Sequence, residues 1–94
     1  MSIIRTVHAR VEGGVQGVGY RAWVEHTARS FGLTGWVRNR RDGSVEMTLR
    51  GTPENVSEML RKCQDGPPDA RVEKVEILGE GAGAYESFEV LPTI

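Results

Sequence analysis

Four glycines, a glutamine and an arginine crowd into the stretch GGVQGVGYR, Gly13 to Arg21, and an asparagine, Asn39, follows eighteen positions after the arginine. Glycines let a backbone take positive φ and approach a ligand with no Cβ in the way. Successive N–H groups from Val15 to Arg21 can then converge as a nest, backed by the positive end of a helix that starts there, an arrangement suited to phosphate or sulfate. Arg21 adds a permanent, planar, two-pronged donor. The same residues also suit a tight strand-to-helix turn with a solvated arginine, and their spacing alone leaves both readings open. No Lys-Ser/Thr pair follows the glycines as a P-loop needs, and no acidic strand end follows as in a dinucleotide fold, so nucleotide binding is disfavoured.

The flanking elements decide where such a loop sits. From Ile4 to Glu12 apolar and polar residues alternate, with Val7, Ala9 and Val11 on one face, as a half-buried strand requires. Tyr20, Trp23, Val24, Thr27, Ala28 and Phe31 form one helical stripe that Gly32 can end. LTGWVRN and SVEMTLR read as two strands joined at a hairpin signal, Asp42-Gly43. Thr52 as cap, Pro53 as first helical residue and Glu54 in the first turn announce a second helix, with Val56, Met59, Leu60 and Cys63 on its buried stripe and Gly66-Pro67-Pro68 as its stop. ARVEKVEIL gives a fourth strand, where Val72, Val75 and Ile77 break alternation once and predict a bulge. GEGAGAYE reads as a loop, and SFEVL as a short extra strand.

The order is βαββαβ over residues 1–94, read as a single domain with no repeat or linker. It predicts an α+β fold of the ferredoxin-like, split-βαβ kind, an antiparallel sheet with two helices on one face and the other face in solvent. The first and third strands are then central. The C-terminal ends of the first and second strands emerge at one edge of the sheet, two strand spacings or about 10 Å apart. The glycine loop and Asn39 share that edge, with room between them for a phosphoryl group and a water.

Composition sets the bounds. Twelve basic and thirteen acidic residues among 94 give a net charge of −1, so bulk electrostatics draw no polyanion and an anion must be captured locally. One cysteine, Cys63, excludes an internal disulfide, and neither a signal peptide nor a bilayer-spanning run is visible. A cytoplasmic monomer is the expectation. The two histidines and the cysteine show no metal-ligand spacing, so neither a metal site nor a cofactor is expected.

Two stretches taken together say more. VEGGVQGVGYR resembles the acylphosphatase signature G-x-V-Q-G-V-x-[aromatic or Met]-R, and GWVRNRRDGSVEMTLRG resembles that family's second signature, G-W-V-x-N-x-x-D-G-x-V with a distal glycine. Tyr20 stands where phenylalanine is usual, so its hydroxyl needs a partner. The resemblance implies hydrolysis of the carboxyl–phosphate anhydride of acyl phosphates, with inorganic phosphate or sulfate as product or inhibitor. It implies Arg21 and Asn39 as catalytic residues and a phosphate-binding loop of Val15, Gln16, Gly17, Val18, Gly19 and Tyr20.

The chemistry is compatible with that implication. The leaving group is a carboxylate whose conjugate acid has a pKa of about 4, so its departure needs no general acid. A loose phosphoryl transition state chiefly needs its equatorial oxygens held and its nucleophile in line. Backbone N–H groups and Arg21 serve the first need, and Asn39 can orient a water for the second.

Competing readings attach to the same chain. One is a non-hydrolytic phosphate- or carbamoyl-phosphate-binding module, because acylphosphatase-like domains also resemble the N-terminal part of a hydrogenase-maturation carbamoyltransferase. Another is an RNA-binding module of similar strand order, disfavoured because His8, Arg10, Glu46 and Thr48 occupy the open face where stacking aromatics are needed. Arg38, Arg40 and Arg41 around Asn39 could draw an anionic substrate or form a solvated hairpin surface and are left out of the site, and Trp36 could cover the acyl group or serve packing; His8 and His26 are read as surface residues, Cys63 as a buried inert thiol, and Trp23, Met47 and Met59 as core.

Overall fold

A computed structural model describes residues 3–81 and 83–94 of the chain. Five strands and two helices follow in the order β1 (Arg5–Gly14), α1 (Tyr20–Ser30), β2 (Thr34–Asn39), β3 (Val45–Gly51), α2 (Pro53–Cys63), β4 (Arg71–Glu80) and β5 (Phe88–Val90). The sheet order is β4-β1-β3-β2-β5, with β1 and β3 inside it as expected. β5 pairs parallel to β2, so the sheet is mixed rather than wholly antiparallel, and β2 is no longer an edge.

Alternation along the strands puts Val7, Ala9 and Val11 on the same face as Val37, Val45, Met47 and Leu49, all completely buried. Both helices pack there, α1 with Tyr20, Val24 and Ala28 and α2 with Val56, Met59 and Cys63. Each fully buried aliphatic side chain of this kind contributes about 1.5–3 kcal/mol relative to exposure. α2 starts as its residues dictate, with Asn55 N donating to Thr52 Oγ1 at 3.2 Å. The Tyr20 hydroxyl finds its partner at the far end of α2, donating to the Cys63 carbonyl at 2.7 Å. That carbonyl is one of those a helix end leaves without an intrahelical donor.

Two sequence expectations change. β1 continues to Gly14 because Gly13 and Gly14 pair with Val72 and Arg71, and the β1–β4 register shifts twice. One shift falls at the expected break between Val72 and Val75; the other falls at Leu78, between Ile77, which pairs with core-facing Ala9, and Gly79, which pairs with His8, and Ile77 and Leu78 stay about half exposed on this edge strand. The helix-free face is also not simply solvated. Glu46, Thr48 and Thr6 are buried on it, covered by long side chains lying over the sheet. Glu76, Arg10, Glu46 and Arg38 stand in register across β4, β1, β3 and β2, so charge alternates along a row four strands wide. The loop expected at GEGAGAYE begins only after Glu80, and its position 82 lies outside the described residues.

Candidate active site

Between the end of β1 and the start of α1 the chain makes a short loop, and Gly17 and Gly19 take φ of 75° and 79°. A Cβ at either would meet nothing within 4 Å, so glycine serves the left-handed backbone there, not a shortage of space. Gly19 is also the N-cap of α1, with no side-chain cap and no acidic residue in the first turn. Nothing in the helix's own sequence neutralises its positive end.

Val15 N–H is already taken by the Gly13 carbonyl at 3.0 Å. The donors that meet no protein acceptor among the described residues therefore begin at Gln16 and run into the first turn of α1. Val15 and Tyr20 are buried, and Val18 packs against the core; these side chains anchor the loop from below.

A cleft of about 310 Å³ opens above it, walled by Val15, Gln16, Gly17, Gly19, Tyr20, Arg21 and, from the end of β2, Asn39. Arg21 forms no ion pair or hydrogen bond among the described residues. The Asn39 Oδ1 is buried with no hydrogen-bond partner among the described residues, an acceptor that is costly to leave unused. Loop and asparagine thus meet in one cavity, as the shared sheet edge predicts.

Gln16 joins the two walls. Its Nε2 donates to the carbonyls of Arg40 at 2.7 Å and Ser44 at 2.8 Å, tying the loop to the β2–β3 turn. That turn is shaped by Asp42, whose Oδ1 accepts from Ser44 N at 2.9 Å and from the Ser44 hydroxyl at 2.6 Å. These bonds hold the Asp42 carboxyl below its ordinary value.

Three further cleft residues escape sequence reasoning. Ala22 and Glu25 come from the exposed side of α1 and Val90 from β5. Glu25 stands one helical turn after Arg21 and pairs with Arg29 at 3.1 Å, so the helical period itself places it beside the arginine. Val90 carries no local signal, because only the parallel pairing of β5 with β2 brings it there. The chain beyond β5 continues along β2, with Ile94 N donating to the Asn39 carbonyl at 3.2 Å and Arg41 N donating to that of Ile94 at 2.7 Å.

The remaining candidates stay outside the cleft. Trp36 lies on the helix-free face, with the Arg38 guanidinium 4.7 Å from its ring centre, and Arg38 and Arg40 both donate to Glu46. His8 is not merely a surface residue, since its Nε2 lies 2.5 Å from Glu46 Oε2. Cys63 is fully buried, and burial pushes its thiol up to about 12, too high for a nucleophile at neutral pH.

A split-βαβ domain whose cleft joins a glycine-bent loop at an uncapped helix start with an arginine and an asparagine oxygen, neither partnered among the described residues, has a shape and chemistry suited to an anionic phosphoryl group. Comparison with known proteins makes this specific: the family model described as Acylphosphatase matches residues 7–90, and the chain belongs to that family. A protein named acylphosphatase from Bradyrhizobium diazoefficiens is 52% identical over 90 residues, covering 89% of this chain and 91% of its own. Another of that name, from Rhodopseudomonas palustris, is 63% identical over 73 residues, 78% of this chain and 72% of its own. The structure of an acylphosphatase from Coxiella burnetii superposes with a TM-score of 0.89 at 34% identity, covering 94% of this chain and 93% of that one.

Proposed function

We propose that this chain hydrolyses acyl phosphates to a carboxylate and inorganic phosphate by direct attack of a water that Asn39 orients, on a phosphoryl group held by Arg21 and the loop of residues 15–20. The enzyme class follows from family membership. The roles of the residues rest on one observation above all: Asn39, whose buried Oδ1 has no hydrogen-bond partner among the described residues, walls the same cleft as Arg21 and the glycine loop.

The oxygens of the phosphoryl group accept from the main-chain N–H groups at positions 16–20 and from Arg21. As the anhydride bond lengthens, negative charge on those oxygens meets donors that are already aligned, so little reorganisation is needed. The attacking water donates one hydrogen bond to Asn39 Oδ1, which fixes its lone pair toward phosphorus. Asn39 is too weak a base to keep a proton, and the proton passes to a phosphate oxygen. The acyl carboxylate departs unprotonated, because it is a good leaving group at neutral pH. Positioning and electrostatics supply the catalysis, with no phosphoenzyme.

All residues with a role come from one chain and from the two walls that Gln16 joins, which supports a monomer working as one domain. No helix among the described residues is long and apolar enough to cross a membrane, and the absence of paired cysteines agrees with a reducing, cytoplasmic setting. A binding module that retains carbamoyl phosphate without cleaving it is disfavoured by relatives named acylphosphatase along most of the chain.

Turnover of benzoyl phosphate in the presence of EDTA tests this reading. Hydrolysis unaffected by the chelator, and inhibited competitively by inorganic phosphate, is the expected result. Tight phosphate binding with no hydrolysis would overturn it.

A further inference from the structure

On the helix-free face, Glu46 is a buried carboxylate met by two guanidinium groups and an imidazole. Its Oε1 accepts from Arg38 Nε and from Arg40 Nη1, each at 2.9 Å, and its Oε2 meets His8 Nε2 at 2.5 Å. Arg38 and Arg40 are the two neighbours of Asn39 in the chain. Alternation sends their side chains to one face of the sheet and that of Asn39 to the other, where it pairs across the strands with Val45 beside the α1 N-terminus. One carboxylate oxygen therefore holds the side chains of both chain neighbours of the asparagine, on the opposite face of the sheet.

We propose that Glu46 is a positioning residue for the hydrolytic water: by holding Arg38 and Arg40 at a single oxygen, it sets the orientation of Asn39. This inference rests on the water-orienting role of Asn39. The β2 ladder ends at Asn39, and Arg40 already lies outside it. Main-chain bonds hold this end of β2, with Arg40 N donating to the Ser44 carbonyl at 2.9 Å and Ile94 N to the Asn39 carbonyl at 3.2 Å, but none of them reaches the Asn39 side chain. Without the carboxylate, the guanidinium groups of Arg38 and Arg40 would repel each other and pull residues 38–40 apart. Arg10, across from Glu46 on β1, does not replace it, because it is a cation as well and is paired with Glu76 at 2.8 Å.

The role predicts a separation of effects that general destabilisation does not. The phosphate cradle is built from the loop and Arg21, none of which touches Glu46, whereas the water's acceptor depends on residues 38–40. Glu46→Gln keeps shape but loses the charge that holds two guanidinium groups. It should lower kcat for benzoyl phosphate about tenfold or more, leaving KM and inhibition by inorganic phosphate within about twofold. In an Asn39→Ala background the same substitution should change kcat by less than about twofold, because there is no side chain left to orient. Arg40→Gln, which leaves Glu46 bonded to Arg38 and His8, should show the same pattern to a smaller extent, and it serves if Glu46→Gln does not fold.

Equal losses from Glu46→Gln with and without the Asn39 side chain would overturn the proposal, as would an unchanged kcat or a parallel rise in phosphate inhibition constant. If Asn39→Ala itself kept wild-type kcat, the water-orienting role would fall and this proposal with it; a slow Asn39→Ala beside an unaffected Glu46→Gln would remove only the proposal.

Discussion

Gln16 and Arg40 lie 24 residues apart, yet the side-chain amide of one donates to the carbonyl of the other at 2.7 Å. This bond and its companion to the Ser44 carbonyl brace the glycine loop against the β2–β3 turn, and so against Asn39. Gln16→Ala removes both bonds and leaves two carbonyls to find water. We expect kcat to fall on the order of 10- to 100-fold, since small misplacements of reacting groups cost that much. The melting temperature should fall too, by an amount matching about 1–3 kcal/mol. Steady-state kinetics beside a thermal melt checks both.

Arg21 and Asn39 should separate kinetically. In the proposed mechanism Arg21 touches substrate and transition state alike, so Arg21→Ala should weaken phosphate inhibition and lower kcat together. Arg21→Lys keeps the charge but not the fork, and should recover part of the phosphate affinity and little of kcat. Asn39→Ala should lower kcat chiefly, with phosphate still inhibiting competitively. A wild-type kcat for Asn39→Ala would remove its assigned role.

Tyr20 is a buried residue at the edge of the proposed phosphate-binding loop. Its hydroxyl is buried and bonded to Cys63, and burial raises its pKa well above the ordinary phenol value. Tyr20→Phe leaves the Cys63 carbonyl without that donor and should cost about 1–3 kcal/mol of stability. Activity per folded molecule should stay near wild type, because the hydroxyl points away from the cleft. Urea unfolding curves set beside kcat measure the two effects separately.

Glu46 also predicts how stability responds to acid. Its burial alone would raise the carboxyl, but hydrogen bonds from Arg38, His8 and Arg40 outweigh that and hold it below its ordinary value of 4.5. The native state therefore binds this proton less readily than the unfolded chain does. The stabilisation is fully present above about pH 4.5 and is lost as pH falls through the depressed native value. Glu46→Gln should be less stable at neutral pH and should lose less on acidification, which melts between pH 7 and pH 3 would reveal. Equal acid slopes for the two proteins would contradict this.

Much of the fold and the heart of the site could be read along the chain. Alternation in β1 and β3, the stripe from Tyr20 to Phe31, and the Thr52-Pro53-Glu54 start of α2 are local patterns, and local patterns report which side of an element is buried. They sufficed for the βαββαβ order, which in turn put Arg21 and Asn39 at one sheet edge. Glu46 escaped the same logic. It falls on the outward alternation of β3 and reads as solvent-facing, yet His8 from β1, Arg38 from β2 and Arg40 just beyond β2 cover it, and no local pattern records what neighbouring segments lay over a residue.

The sequence by itself thus determined the elements, the bend of the glycine loop and the identity of the charged and polar groups at its edge, because backbone propensity and hydrophobic period act over a few residues. Only the tertiary structure decided that Gln16 would bridge to Arg40, that Val90 would wall the cleft, and that one buried carboxylate would grip both neighbours of Asn39. Those are encounters between segments tens of residues apart, set by strand pairing and the packing of the shared core.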